Sequence, residues 1–189
     1  MAASTLGFAL LGLLARQPRT GYEISRALSE PVGFFWSAGH SQVYPELARL
    51  EQSGLVSHQV VDGPGPRDTK RYTITDAGRI SLADWVAQPP EASTPAKSLL
   101  LLKIYSSWLA DPAACARMLR GERARHVELL QVFTRRRAEH ERAQPNRLDD
   151  PSAKEFSSYA TLRAGMSYEQ HEIDWFDWII GVLDGGSPR

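Results

Sequence analysis

The sequence predicts a mainly α-helical fold with one small β-hairpin, divided into an N-terminal and a C-terminal part. Apolar residues recur at helical spacing through most of the 189 residues. Over residues 55–74 they alternate with polar residues instead, which is typical of strands. A proline-rich stretch, residues 88–95, interrupts both patterns and indicates a linker.

The first element is a helix that Ser4 or Thr5 can cap, with leucines along a wide apolar face. Its apolar run, residues 6–15, has no basic residue before it and is too short to span a bilayer. We therefore interpret the run as the buried first helix of a cytoplasmic protein without a membrane partner. A second helix follows, with Thr20 as the cap and Glu23 at the capping-box position.

The third helix is short and amphipathic. Pro45 has no N–H to donate and is comfortable only in a first helical turn, so the helix should begin near Ser41. Gly54 can end it as the residue after the C-cap. Its apolar face is formed by Val43, Leu47 and Leu50.

Two strands are predicted next, residues 55–61 and Lys70–Ile74, joined by a turn rich in glycine and proline. A helix capped by Thr75 or Asp76 follows. The order helix, helix, helix, hairpin, helix within 88 residues is that of a winged helix-turn-helix, with the hairpin as the wing. The basic side chains of the wing, Arg67, Lys70 and Arg71, would lie where a phosphate backbone passes.

The C-terminal part is predicted to be wholly helical. A helix over residues 95–110 precedes one that Asp111 caps and that runs to about Arg142, and a last helix spans about Ala153–Leu183. We predict an N-terminal winged helix-turn-helix DNA-binding domain over residues 1–88, a linker over 89–95 and a C-terminal helical dimerisation and effector domain over 96–189.

The two long helices carry opposite charge. Residues 117–142 contain eight arginines and four glutamates, whereas residues 149–184 contain eight acidic and two basic residues. Helices of opposite sign pair within a chain or across a dimer. The arginine run at 135–137 would lie on such a face or in solvent, or would contact DNA.

Composition excludes several classes of function. The 22 basic and 22 acidic residues cancel, so DNA binding would need a local basic patch. Cys115 is the single cysteine, which excludes an internal disulfide and favours a buried side chain over a redox sensor. No nucleophile elbow, phosphate-binding loop or metal-ligand spacing is present. We therefore expect no enzyme, cofactor, metal or catalytic residue.

Three motifs make the chain resemble the PadR family of bacterial transcriptional regulators. They are GYEI at 21–24, FWSAGHSQVYPEL at 35–47 and KRYTIT at 70–75, in this order. The long C-terminal part is similar to the larger PadR subfamily, which includes the phenolic-acid-responsive repressors and the AphA-like virulence activator. The resemblance covers nearly the whole chain.

The resemblance implies a homodimer, joined through its C-terminal helices, that binds a pseudo-palindromic double-stranded DNA operator. The resemblance further implies an effector-responsive repressor, and an activator of the same family is the alternative. Carried onto this sequence, the DNA contacts would be Tyr22, Ser41, Gln42, Tyr44 and Pro45 from the helices, with Arg67, Lys70 and Arg71 from the wing.

A small aromatic or hydrophobic effector is also implied, since the phenolic-acid sensors bind their ligand between the two domains. The aromatic side chains that could line an effector site also suit plain packing, and residues 34–36 could equally plug a gap beside the third helix. A winged helix that contacts proteins and not DNA is a further alternative. The effector candidates are Phe34, Trp36, Trp85, Tyr105 and Trp108.

Overall fold

The computed structural model describes residues 3–29, 40–61, 69–90 and 98–185. These residues are mainly helical with one small antiparallel sheet, as predicted. The chain divides into two compact units, residues 1–92 and 93–189. The predicted linker lies mostly outside the described residues, so its limits stay a prediction. No helix in the described ranges combines the length and the apolarity that crossing a membrane requires.

The N-terminal unit is a winged helix-turn-helix built around one apolar core. Buried side chains from all its described helices except the last pack with Val56, Tyr72 and Ile74 of the strands. In chain order its elements are α1 (Thr5–Arg16), β1 (Arg19–Thr20), α2 (Gly21–Ser29), α3 (His40–Gln52), β2 (Val56–Val61), β3 (Thr69–Ile74) and α4 (Asp76–Val86).

The sheet has three strands in the order β1-β3-β2, all antiparallel. The prediction of a two-stranded hairpin was therefore incomplete. Arg19 and Thr20 pair with Tyr72 and Arg71 of β3. A strand of two residues has no period of its own, so only its distant partner reveals it.

The caps of the N-terminal unit follow the predicted chemistry. Ser4 Oγ accepts from Gly7 N–H at 3.0 Å at the start of α1, and Thr75 Oγ1 accepts from Gly78 N–H at 3.1 Å at the start of α4. Gly54 has φ of +70° after the end of α3. Two backbone bonds, Gly54 N–H to Glu51 O and Leu55 N–H to Leu50 O, both 2.9 Å, complete a Schellman motif.

Pro45 lies deeper in its helix than predicted. Because α3 begins at His40, the proline is past the first turn and cannot donate to the carbonyl of Ser41. The carbonyl of Ser41 therefore lacks the i+4 hydrogen bond that a helix normally provides.

The C-terminal unit contains two long helices and a short helical lead-in. The predicted helix over residues 95–110 is shorter, since it begins at Leu99 with Ser98 as its cap and ends before two serines, which are weak helix formers. Asp111 caps the next helix through Ala113 and Ala114 as expected. The elements are α5 (Leu99–Tyr105), a 3₁₀ turn (Ser107–Leu109), α6 (Pro112–Ala143), a 3₁₀ turn (Pro145–Arg147) and α7 (Lys154–Leu183).

The basic α6 and the acidic α7 pack against each other within the chain. Arg123 forms a bidentate ion pair with Asp177, at 2.6 and 2.9 Å, and Arg120 contacts Asp184 at 2.5 Å.

Cys115 is buried on α6. Ala153 precedes α7 without a side-chain cap, and the N–H and hydroxyl of Ser152 donate to Asp150 Oδ1.

Candidate nucleic-acid interface

The start of α2 is held by the predicted capping box. Glu23 N–H donates to Thr20 Oγ1 at 3.2 Å, and the Thr20 N–H donates to Glu23 Oε2 at 2.7 Å. The two bonds satisfy N–H groups that have no partner within the helix. They fix the chain where β1 turns into α2, and this places Tyr22, whose side chain is 70% exposed, on the surface.

The third helix packs on the core of the N-terminal unit through its apolar face. Val43, Leu47 and Leu50 are buried in the core of the unit. The four predicted contact residues of this helix, Ser41, Gln42, Tyr44 and Pro45, are all exposed.

Glu46 is a structural residue of α3 that the sequence pattern did not reveal. Its side chain is buried and accepts from Ser4 Oγ at 2.7 Å, while Arg49 pairs with its second oxygen at 3.0 Å. The same Ser4 hydroxyl caps α1. The orientation of α3 against α1 therefore depends on one buried carboxylate, and its spacing three residues after Val43 was the available signal.

The wing presents basic side chains on its middle strand. Lys70 and Arg71 are exposed on β3, and Arg71 lies 3.9 Å from Glu23 of α2. Arg67 lies outside the described residues. The edge strand β1 adds Arg19, which sequence reasoning missed because β1 itself was not predicted.

Charge and burial near the wing shift the pKa of two groups. The pKa of Glu23 is lowered, chiefly by the backbone hydrogen bond from Thr20. Partial burial opposes this shift, and the Thr20 hydroxyl, Arg71 and Arg19 add to it. Burial raises the pKa of Tyr72. Glu23 is therefore ionised at neutral pH and stays beside the basic strand.

A polar contact between α3 and β2 joins this helix to the wing. His58 Nδ1 lies in hydrogen-bonding contact with Glu51 Oε1, and the His58 ring tilts against Tyr72. Neither group of the pair is fully exposed. The C-terminal end of α3 and the base of the wing are thereby joined by a polar contact as well as by the core.

The effector candidates have different surroundings. Trp85 stacks on Phe8 with ring centroids 4.6 Å apart and planes 8° apart, which is a packing contact, and 40% of its surface stays exposed. In the other unit, Tyr105 is 85% exposed and Trp108 is 80% exposed. Phe34 and Trp36 lie outside the described residues. Their role as an effector site stays a prediction.

The exposed edge of α3 offers the groups that read base edges. A glutamine amide can make paired hydrogen bonds to adenine, and a proline ring can contact a thymine methyl group. Exposed lysine and arginine on an adjacent strand can neutralise phosphates.

Among the residues in the described ranges, no group of three or more His, Cys, Asp or Glu side chains is placed to hold a metal ion.

Comparison with known proteins matches both halves of the chain to families. Residues 10–84 match the transcriptional regulator PadR-like family, and residues 96–184 match the C-terminal domain of virulence activator alpha. A probable transcriptional regulator of Mycobacterium tuberculosis is 31% identical over 94% of this chain and 97% of its own length. The negative transcriptional regulator PadR of Bacillus subtilis is 30% identical over 95% of this chain and 97% of its own length.

Solved structures of Bacillus subtilis PadR are similar over the whole chain. The structure in complex with operator DNA has a TM-score of 0.81 at 26% identity and covers 96% of this chain and 100% of that one. The structure in complex with p-coumaric acid has a TM-score of 0.76 at 27% identity, with 96% and 99% covered.

Proposed function

The chain belongs to the PadR-like family of transcriptional regulators, and on this premise we propose that it is an effector-responsive repressor that binds a pseudo-palindromic operator as a homodimer. The observation that carries the proposal is the exposed N-terminal part of α3, whose opposite face is buried in the core. The similarity to a PadR structure that contains operator DNA supports DNA binding.

We assign the contacts by their chemistry. Gln42 reads an adenine and Pro45 contacts a thymine methyl group in the major groove. Tyr22, Ser41 and Tyr44 donate to phosphates or to base edges. The wing residues Arg67, Lys70 and Arg71 bind the flanking backbone. In a dimer, the two α3 helices would enter successive major grooves about 34–36 Å apart.

The assignment is tested by gel shift with the DNA upstream of the chain's own gene. Gln42→Ala should weaken binding by about 1–3 kcal/mol, because a base contact is lost. Gln52→Ala is the matched control, since Gln52 is exposed at the other end of the same helix. Equal binding by both variants and the wild type would reject Gln42 as a contact.

The wing is tested by salt dependence in the same assay. Arg71→Ala should reduce the slope of log affinity against log salt by about 1, as expected for one lost phosphate contact. Arg79→Ala, an exposed arginine of α4, should leave the slope unchanged. A wild-type chain that bound no genomic fragment even at low salt would favour the alternative of a protein-contacting winged helix.

The effector in this proposal is a small aromatic or hydrophobic molecule. PadR of Bacillus subtilis has been solved with p-coumaric acid, and Trp85, Tyr105 and Trp108 offer exposed aromatic surface here. We expect p-coumaric acid to release the bound DNA and to quench tryptophan fluorescence. Trp108→Ala should weaken both effects, whereas Trp178→Ala, an exposed tryptophan outside the candidate set, should not. DNA binding that is insensitive to p-coumaric acid would exclude this molecule as the effector.

A further inference from the structure

The ring of Tyr44 occupies the space that a side chain at Gly21 would need. A Cβ atom built on Gly21 would lie 2.5 Å from Cε1, 3.0 Å from Cζ and 3.2 Å from Cδ1 of Tyr44. These three atoms form one edge of the ring. The edge therefore rests directly on the backbone at the start of α2, where Gly21 is buried.

The backbone at Gly21 does not itself require glycine. Among the described residues, positive φ angles occur only at Gly54 and Gly185. Gly21 is the first residue of α2 and follows the Thr20 cap, a position that alanine accepts readily. The three atoms nearest to a side chain at position 21 all belong to Tyr44, so packing against Tyr44 is what opposes a larger residue there.

The contact holds one side of a ring that is otherwise on the surface. One edge of the Tyr44 ring packs on the backbone of α2, yet 56% of the residue stays exposed. A helix surface alone would leave such a ring free to change its χ1 rotamer. The seat on Gly21 reduces that freedom.

We propose that Gly21 is a positioning residue that sets the ring of Tyr44 for DNA contact. This inference rests on the proposed function. A methyl group at position 21 would push the ring off its seat and change the direction of its hydroxyl. Because the obstacle is the end of a side chain and not backbone, the ring can move away, so DNA affinity should suffer more than stability.

The test compares Gly21→Ala with Gly12→Ala in gel shifts on the DNA upstream of the chain's own gene. Gly12 lies in α1, and a Cβ there would meet nothing within 4 Å. We expect Gly21→Ala and Tyr44→Ala each to weaken binding about ten-fold, and Gly12→Ala to leave it unchanged. The double variant Gly21→Ala with Tyr44→Ala should bind like Tyr44→Ala alone, since both changes remove one contact.

A measurement without DNA separates this inference from the proposed function. In protein with labelled tyrosine, the NMR signals of the Tyr44 ring, assigned through their loss in Tyr44→Ala, should shift in Gly21→Ala and not in Gly12→Ala. Urea unfolding of the single and double variants checks that the fold is retained.

Three gel-shift outcomes would overturn the inference: wild-type affinity in Gly21→Ala, wild-type affinity in Tyr44→Ala, or additive losses in the double variant. If the wild-type chain bound no DNA, the proposed function would fail, and the Tyr44 signals would still decide whether Gly21 positions the ring. Unshifted Tyr44 signals in Gly21→Ala would overturn that positioning. If the wild type bound and Gly21→Ala bound equally well, only the inference would fail.

Discussion

At the scale of single residues, glycines with the same helical setting differ in what surrounds them. Gly12 in α1 has open space where a side chain would go. Gly78 in α4 lies against backbone, since its Cβ would be 2.2 Å from the carbonyl oxygen of Leu55 and 2.8 Å from Cγ1 of Ile74. Backbone in a packed unit cannot move aside as a side chain can, so Gly78 is fixed by packing and Gly12 is not.

We expect Gly78→Ala to destabilise the N-terminal unit by about 2 kcal/mol or more, because α4 must shift away from the turn after α3. Gly12→Ala should instead be neutral or stabilise by about 0.5–1 kcal/mol, as alanine is the better helix former. Urea unfolding followed by circular dichroism measures both. Similar stability of the two variants would contradict the packing role of Gly78.

Glu46 is a residue whose hydrogen-bond partner the local sequence pattern does not determine. Its position on α3 is compatible with a surface ion pair to Arg49, which is present at 3.0 Å. Its burial depends on Ser4, which is 42 residues away in sequence. Arg49 is therefore a partner that local spacing allows, whereas Ser4 reaches Glu46 only through the fold.

At the scale of elements, the entry into α2 combines hydrogen bonds and charge. The Thr20 and Glu23 bonds form the capping box, and Arg71 on β3 lies 3.9 Å from the same carboxylate. Both charged side chains are more than a third exposed, so solvent screens much of their attraction. The backbone bond to Thr20 is accordingly the larger cause of the lowered pKa of Glu23.

The lowered pKa of Glu23 predicts a pH-dependent contribution to stability. A carboxyl group whose pKa is lower in the folded state stabilises the fold above its unfolded pKa, about 4.5, and loses that effect as the pH falls through the folded value. Glu23→Gln should therefore be less stable than the wild type at pH 7, with a smaller difference as the pH is lowered past 4.5. Urea unfolding across this range measures the difference, and an equal difference throughout would show that charge plays no part.

At the scale of the whole molecule, the C-terminal unit exposes several large apolar side chains at its start. Leu102 on α5 is 64% exposed. Leu99 and Leu101 of the same helix and Leu109 of the following 3₁₀ turn are exposed as well. Because the basic and acidic helices already pair within the chain, apolar burial is the better candidate for holding a homodimer together.

We expect the wild type to have a mass of twice 21.0 kDa in solution. Leu102→Asp should shift the mass toward that of one chain, because a buried unpaired charge opposes association. Light scattering after gel filtration measures this, with Gln131→Asp on the exposed side of α6 as the control. A monomeric wild type would reject the dimer, and a dimeric Leu102→Asp would place the interface elsewhere.

Sequence alone determined the helical and hairpin segments, the caps at Thr20 and Asp111, the glycine stop at Gly54 and the family. It narrowed two further caps to Ser4 or Thr5 and to Thr75 or Asp76. These features depend on residues close together in the chain, where periodicity and capping chemistry act. Only the tertiary structure decided the third strand at Arg19, the burial of Glu46 and the seat of Tyr44 on Gly21. Each of these joins residues more than 20 positions apart, and no local pattern encodes which distant surfaces meet in a packed core.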